Sequence, residues 1–275
     1  MRWQLLIPNM LTLNFKVPRV MPWCWIAGFL LLAGTGIALA NEPPNPIFVA
    51  RAAAEFDRTR AQYQSNTNDS TAALQFARAC FNFADLVTNE TQRAALANQG
   101  IAVCHQWLAR ESNSAPAHYY LAMNFGQLAK AEAPSLAAYR LVREIEREFR
   151  KAADLDGHFD YAGPDRGLGL LYRDAPGWPL SIGSRHKARE WLEQAEQLAP
   201  DYPENHLNLA EAFLRWHDHA GAERELKALD TLWPVARSHL VGPAWEPCWA
   251  DWSVRRDAVR KRLDETSKTA EAPKN

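Results

Sequence analysis

The chain has 275 residues, is 47% hydrophobic and 23% charged, and carries a formal net charge of -1. It is too apolar for a disordered chain, and its near-neutral balance provides no whole-chain attraction for nucleic acid or anionic membrane. Eleven tryptophans point to large knobs between helices or to an aromatic contact surface.

Residues 1–40 read as a segment separate from the fold. Lys16 and Arg19 precede an apolar run from Val20 to Ala40, which ends in Ala38-Leu39-Ala40 and meets the Pro-rich stretch Asn41 to Pro46. A positive start, an apolar core and a small-x-small end describe a secretory signal. An uncleaved anchor is the other reading, since about 20 apolar residues span a bilayer. Either way the chain is expected to be exported, to a periplasm or the cell envelope. Any membrane contact is then expected only through this segment if it stays uncleaved. Cys80, Cys104 and Cys248 follow it. One bridge plus a free thiol is open to an exported chain, but three buried cysteines packed as small hydrophobes is the preferred reading.

Beyond about residue 45 the pattern is helical, rich in Ala, Leu, Glu and Arg and without strand-like alternation. Phe48 to about Gln64 predicts a first helix, and residues 41–66 hold it with its linker. The cluster Asn66 to Ser70 is a turn with a cap. Thr71–Val87 and Thr91–Arg110 predict the next two helices. Three similar helix starts follow: Leu121-Ala122-x-x-Phe125, Leu168-Gly169-x-x-Tyr172 and Leu209-Ala210-x-x-Phe213. In each, the small residue admits a second helix and the aromatic one turn later fills the space beside it. The second helices carry Phe149 and Ala152, then Ala188, Leu192 and Ala195, then Ala222, Leu226 and Leu229. Pro200 and Pro234 are expected to close the last two. Ala188 to Ala222, Leu192 to Leu226, Ala195 to Leu229 and Pro200 to Pro234 are each 34 residues apart, the period of a helix-turn-helix solenoid.

These residues make the chain resemble the tetratricopeptide repeat family. Residues 163–200 and 203–234 carry its large, small, aromatic and proline pattern, 116–156 carry it loosely, and 71–110 are degenerate. The resemblance implies an all-α, right-handed α-solenoid of stacked antiparallel helix pairs over residues 67–235, about four pairs. A C-terminal cap over 236–266 and a disordered tail over 267–275 complete the reading. It also implies a concave face lined by the first helix of each pair. The family's groove positions fall here on Tyr119, Met123 and Gly126, then on Arg166, Leu170 and Arg173, then on Leu207, Glu211 and Leu214. Arg166 and Arg173, two turns apart on one face, would take a carboxylate such as a peptide C-terminus through forked hydrogen bonds. Pairing with the chain's own Asp165 or Asp174 is the equal alternative.

Two connections exceed the family's short turn. One is Ala129 to Ser135. The other is a nine-residue excess within Asp174 to Gly183, and it carries Trp178-Pro179. Insertions in such arrays gather on one face, often the binding face. Trp178 is therefore a candidate contact, against the preferred alternative that it folds back to plug its own helix pair. Asp154 to Asp160 has its glycine, Gly157, misplaced for a calcium loop and no glutamate at the loop's end, and His217-Asp218-His219 falls short of a zinc signature, so both are read as turns. Trp245, Trp249 and Trp252 are read as the inner stripe of the cap, with Arg255, Arg256, Arg260, Lys261 and Arg262 on its outer face.

No Gly-x-Ser-x-Gly, P-loop, His-Glu-x-x-His or dinucleotide turn occurs. The expectation is a non-catalytic scaffold without cofactor or metal. It would bind a protein or peptide, and not nucleic acid, through Arg166, Arg173, Tyr119, Met123, Leu207, Glu211 and Trp178. A solute-binding accessory of a transport system, like the helical-repeat components of carboxylate transporters, is the alternative.

Overall fold

The computed structural model describes residues 44–133 and 135–271. The expected leader at 1–40 lies outside them. Ten helices follow one another, α1 (Pro46–Ser65), α2 (Ser70–Leu86), α3 (Glu90–Leu108), α4 (Ala115–Ala131), α5 (Leu136–Asp156), α6 (Phe159–Asp174), α7 (Arg185–Leu198), α8 (Pro203–Arg215), α9 (His219–His239) and α10 (Glu246–Glu271). Their starts are chemically marked. Asn45, Asp69, Asn89, Ser114, Ser135, Ser184 and Asp218 each accept a hydrogen bond from a first-turn backbone N–H that the helix itself leaves unsatisfied.

Each helix packs on the next, and α4 also packs on α2, giving a solenoid of helix pairs α2–α3, α4–α5, α6–α7 and α8–α9 with α1 and α10 at its ends. The small residues hold the pairs together. A Cβ on Gly169 would sit 2.6 Å from Leu192 Cγ and 3.0 Å from Leu192 N, so α7 lies against α6 as closely as a glycine permits. Gly169→Val is expected to cost about 3 kcal/mol, because the Leu192 backbone has nowhere to move. Urea unfolding checks this, and an unchanged midpoint would contradict it.

The second helices run parallel with a fixed register. Arg150 of α5 lies over the Trp191 ring of α7, and Gly157 meets Leu198, an offset of 41 residues at both points. At the far end, Trp245, Cys248, Trp249, Trp252 and Val259 form one buried stripe. They pack with Tyr202, Leu207 and Phe213 of the last pair, as expected of a cap. Arg51 of α1 reaches Glu246 of α10 at 2.7 Å, so the first and last helices touch.

Four expectations are corrected. Pro234 does not end its helix: α9 continues to His239. The loss of one N–H is tolerated on an exposed helix face late in the element. Helix α4 runs to Ala131, so the first three residues of the supposed long connection, 129–131, belong to the helix. The C-terminal helix runs to Glu271, through part of the stretch read as a disordered tail. Arg255 faces inward rather than to solvent. Cys80, Cys104 and Cys248 are buried and free, and burial pushes the thiols of Cys80 and Cys104 up. Among the described residues no helix is long and apolar enough to cross a membrane.

Candidate functional site

The face formed by α4, α6, α8 and α10 is built around an unusual stretch of backbone. Asp160, Tyr161 and Ala162 have φ of 52°, 55° and 60°. L-residues pay roughly 1–2 kcal/mol each for this left-handed region, so three in succession need support. Arg166 supplies it. Its guanidinium donates to the carbonyls of Tyr161 at 2.8 Å and Asp160 at 3.1 Å, and to Asn205 Oδ1 at 3.1 Å. Asn205 Nδ2 donates to the same Tyr161 carbonyl at 3.3 Å. The turn sets Asp160 Oδ2 to accept from the Tyr119 hydroxyl at 2.7 Å and to lie 3.6 Å from Arg166. Tyr161 stacks on Tyr202 at 4.4 Å, and the Arg166 guanidinium lies over the Tyr202 ring, 5.1 Å from its centroid.

This arrangement corrects three of the expected contacts. Tyr119, Arg166 and Leu207 are 1%, 2% and 0% exposed, and the two polar side chains are committed to internal partners. Arg166 therefore offers no fork to a carboxylate from outside. The family's groove position here is covered because the left-handed turn and the residues around Trp245 lie over it. The partner chosen by Arg166 is neither Asp165 nor Asp174 but the turn itself.

The distal half of the same face remains accessible. Met123, Gly126, Leu170, Arg173 and Glu211 are half-buried, and Leu214 closes the row. Arg173 donates both fork atoms to Asp174 at 2.8 Å and lies 3.8 Å from Glu211. Arg215 reaches Asp174 from α8 at 2.7 Å. Glu211 in turn accepts two hydrogen bonds from Arg255 of α10, at 2.7 and 2.9 Å. Arg255 also donates to Asn208 Oδ1 at 2.7 Å and to Asp251 at 3.1 Å. Burial would raise the Glu211 carboxyl, but Arg255 and Arg173 hold it low. For Asp251 burial outweighs Arg255, and its carboxyl is pushed up to about 6. The open strip is thus an apolar floor of Met123 and Leu170 beside a charge row that links α6, α8 and α10. Arg255 was the residue missed by sequence reasoning. Its i,i+4 spacing from Asp251 was the available signal, but the tryptophan stripe gave no reason to turn it inward.

The 174–183 insertion forms a closed loop. Gly183 N donates to Pro176 O at 2.8 Å, Leu180 and Ser181 donate to Gly177 O, and Ser184 N returns to Tyr172 O. A Cβ on Gly183 would lie 2.0 Å from Ala175 O, so only glycine allows this closure. Trp178 is 89% exposed and Leu180 68%. The preferred expectation that Trp178 folds back on its helix pair is therefore corrected: the partly buried Ile182 packs on the core instead. Asp218 caps α9 and Asp156 accepts from His158 N, the turn chemistry expected of both acidic stretches.

Asp165, on the α6 face toward α5, is fully buried, and neither carboxylate oxygen has a hydrogen-bond partner. Burial pushes its carboxyl up to about 6. The folded state therefore favours the protonated acid. The stability it contributes is complete below the unfolded value near 4 and is lost as pH rises through 6. Asp165→Asn is expected to stabilise the protein at pH 7.5 by about 1–3 kcal/mol, and to leave it little changed at pH 4. Denaturant unfolding across pH 4–8 checks this; an equal effect at both ends would contradict it.

No family model matches the chain, and no curated protein matches it. Among solved structures it is similar to TTC0263, a thermophilic TPR protein of Thermus thermophilus, with 19% identity and a TM-score of 0.56. The match covers 78% of this chain and 92% of that one. Together with ten antiparallel helices joined at small-residue contacts, this likeness shows that the chain has the fold of a tetratricopeptide repeat protein.

Proposed function

We propose that this protein is an exported scaffold that holds a protein or peptide partner on the distal half of its concave face. The observation carrying this reading is the strip of Met123, Leu170, Arg173 and Glu211. It is apolar at its floor, half-accessible, and supported by an ion-pair row that fixes its charged groups in place. Preorganised side chains of this kind lower the ordering cost of binding. The TPR fold itself points to partner binding. Export rests on residues 1–40, read as a leader. Binding of a polypeptide is favoured over binding of a solute by the tryptophans of the cap, which pack on each other. Trp249 lies 4.9 Å from Trp252, and Trp245 lies 6.1 Å from it, so they fill a core rather than line a cavity.

Leu170→Glu with Met123→Glu is the direct test. These half-buried sites accept a longer polar side chain at the surface, and the fold is expected to persist by circular dichroism. Partner recovery from envelope extract is expected to fall by tenfold or more, the loss of roughly 1.4 kcal/mol or more. Equal recovery by wild type and variant would contradict the groove assignment. Sequencing the mature N-terminus by mass spectrometry tests export separately. Cleavage after Ala40 is the expected result.

A further inference from the structure

The 41-residue register between α5 and α7 places Glu144 level with Arg185, the start of α7. The first eight residues of α5, 136–143, therefore stand about 12 Å beyond that start. The closed 175–184 loop leaves the same edge. Two separate elements thus project side by side. Their outermost side chains are Leu136, 78% exposed, and Trp178 and Leu180. Loop closure by its own hydrogen bonds means that this apolar exposure is built in.

The charges behind these tips are predominantly cationic. Arg140, Arg143, Arg185 and Lys187 are exposed at this edge. Two of its acids are engaged, Asp174 with Arg173 and Arg215 and Glu144 with Arg147, and Glu132, at the end of α4 beside Leu136, is exposed; the four cations outnumber it. A single protein pocket would receive one tip. Two tips on separate elements, ringed by cations, match an extended anionic plane. Tryptophan is the residue that favours the headgroup level of a bilayer, and surface cations add attraction to anionic lipid.

We propose that this edge docks on an anionic bilayer surface, with Trp178, Leu180 and Leu136 entering the headgroup layer and the four cations facing it. The interaction does not use the concave strip and stands whatever the partner there is.

A label that reports only this edge tests it, since residues 1–40 would bring the full chain to vesicles on their own. Full-length protein carrying Cys24→Ser and Ser181→Cys is labelled with an environment-sensitive dye; Cys80, Cys104 and Cys248 are buried. On vesicles containing phosphatidylglycerol the dye emission is expected to shift to the blue. No shift is expected on pure phosphatidylcholine, or for a dye at Ser238→Cys on the opposite edge. Trp178→Ala with Leu180→Ala is expected to abolish the shift. Arg140→Gln with Arg143→Gln is expected to weaken it by roughly fivefold per cation removed. Bound protein with no shift at position 181, or the same shift at 238, would overturn the proposal. So would a shift at 181 that needs an added protein and never appears with lipid, which would assign the tips to a protein pocket.

Discussion

Arg166→Met is expected to destabilise the protein by about 3–5 kcal/mol, the cost of removing one member of a buried ion pair and leaving the other charge without compensation. Asp160 lies against this guanidinium with almost no solvent contact. Burial works against the charge of Arg166, and the neighbouring Glu204 and Asp160 more than offset it, so it remains a cation in the folded protein. The three left-handed residues also lose the fork that holds two of their carbonyls. Unfolding should then begin at the α5–α6 junction, and hydrogen exchange there should rise before it rises in α2 and α3. The transition temperature should fall by roughly 10 °C. Arg166→Lys should not rescue it, because an ammonium cannot reach two carbonyls and an amide oxygen in one plane. A variant that keeps its transition temperature and loses only a binding partner would show that Arg166 serves a ligand after all.

Arg255→Met should have an effect of similar size, about 3–5 kcal/mol, with a different signature. Arg255 is the point at which α10 locks onto α8, through Glu211, Asn208 and Asp251. Without it Glu211 keeps only Arg173 at 3.8 Å, and Asp251 keeps none of the hydrogen bonds that oppose its burial. The expected result is early release of α10, seen as protease cleavage near Gly242, while the pairs α2–α3 and α4–α5 stay intact. Adding Glu211→Gln should recover part of the loss by removing the uncompensated charge. Calorimetry with limited proteolysis checks both points. Single cooperative unfolding with no early cleavage would contradict the locking role.

What the chain shows without coordinates is its packing. Gly169 against Leu192, the buried Ala188, Leu192 and Ala195, and the tryptophan stripe of α10 follow from apolar spacing, because burial acts on side-chain type and period. The concave face was legible only in part. At Met123, Leu170, Arg173 and Glu211 the family's positions fall on half-buried residues. They mislead at Tyr119, Arg166 and Leu207, since what covers those residues is a left-handed turn of Asp160, Tyr161 and Ala162. None of these is a glycine, so local propensity gives no hint of the turn; it exists because Arg166 and Asn205 hold it from 39 residues apart. Trp178 illustrates the opposite case. Large aromatics are usually buried, but here a ring of backbone hydrogen bonds closes the loop before the indole can reach the core. Polar commitments of both kinds are invisible to periodicity.

A photo-crosslinking amino acid placed in cells at position 170 reads whether a polypeptide partner sits on the open half of the concave face. Position 194, on the exposed outer face of α7, is the reference. Crosslinking from 170 to one defined protein, lost when Met123→Glu is added and absent from 194, is the predicted result. Equal crosslinking from both positions, or none from 170 while partner recovery is intact, would contradict it.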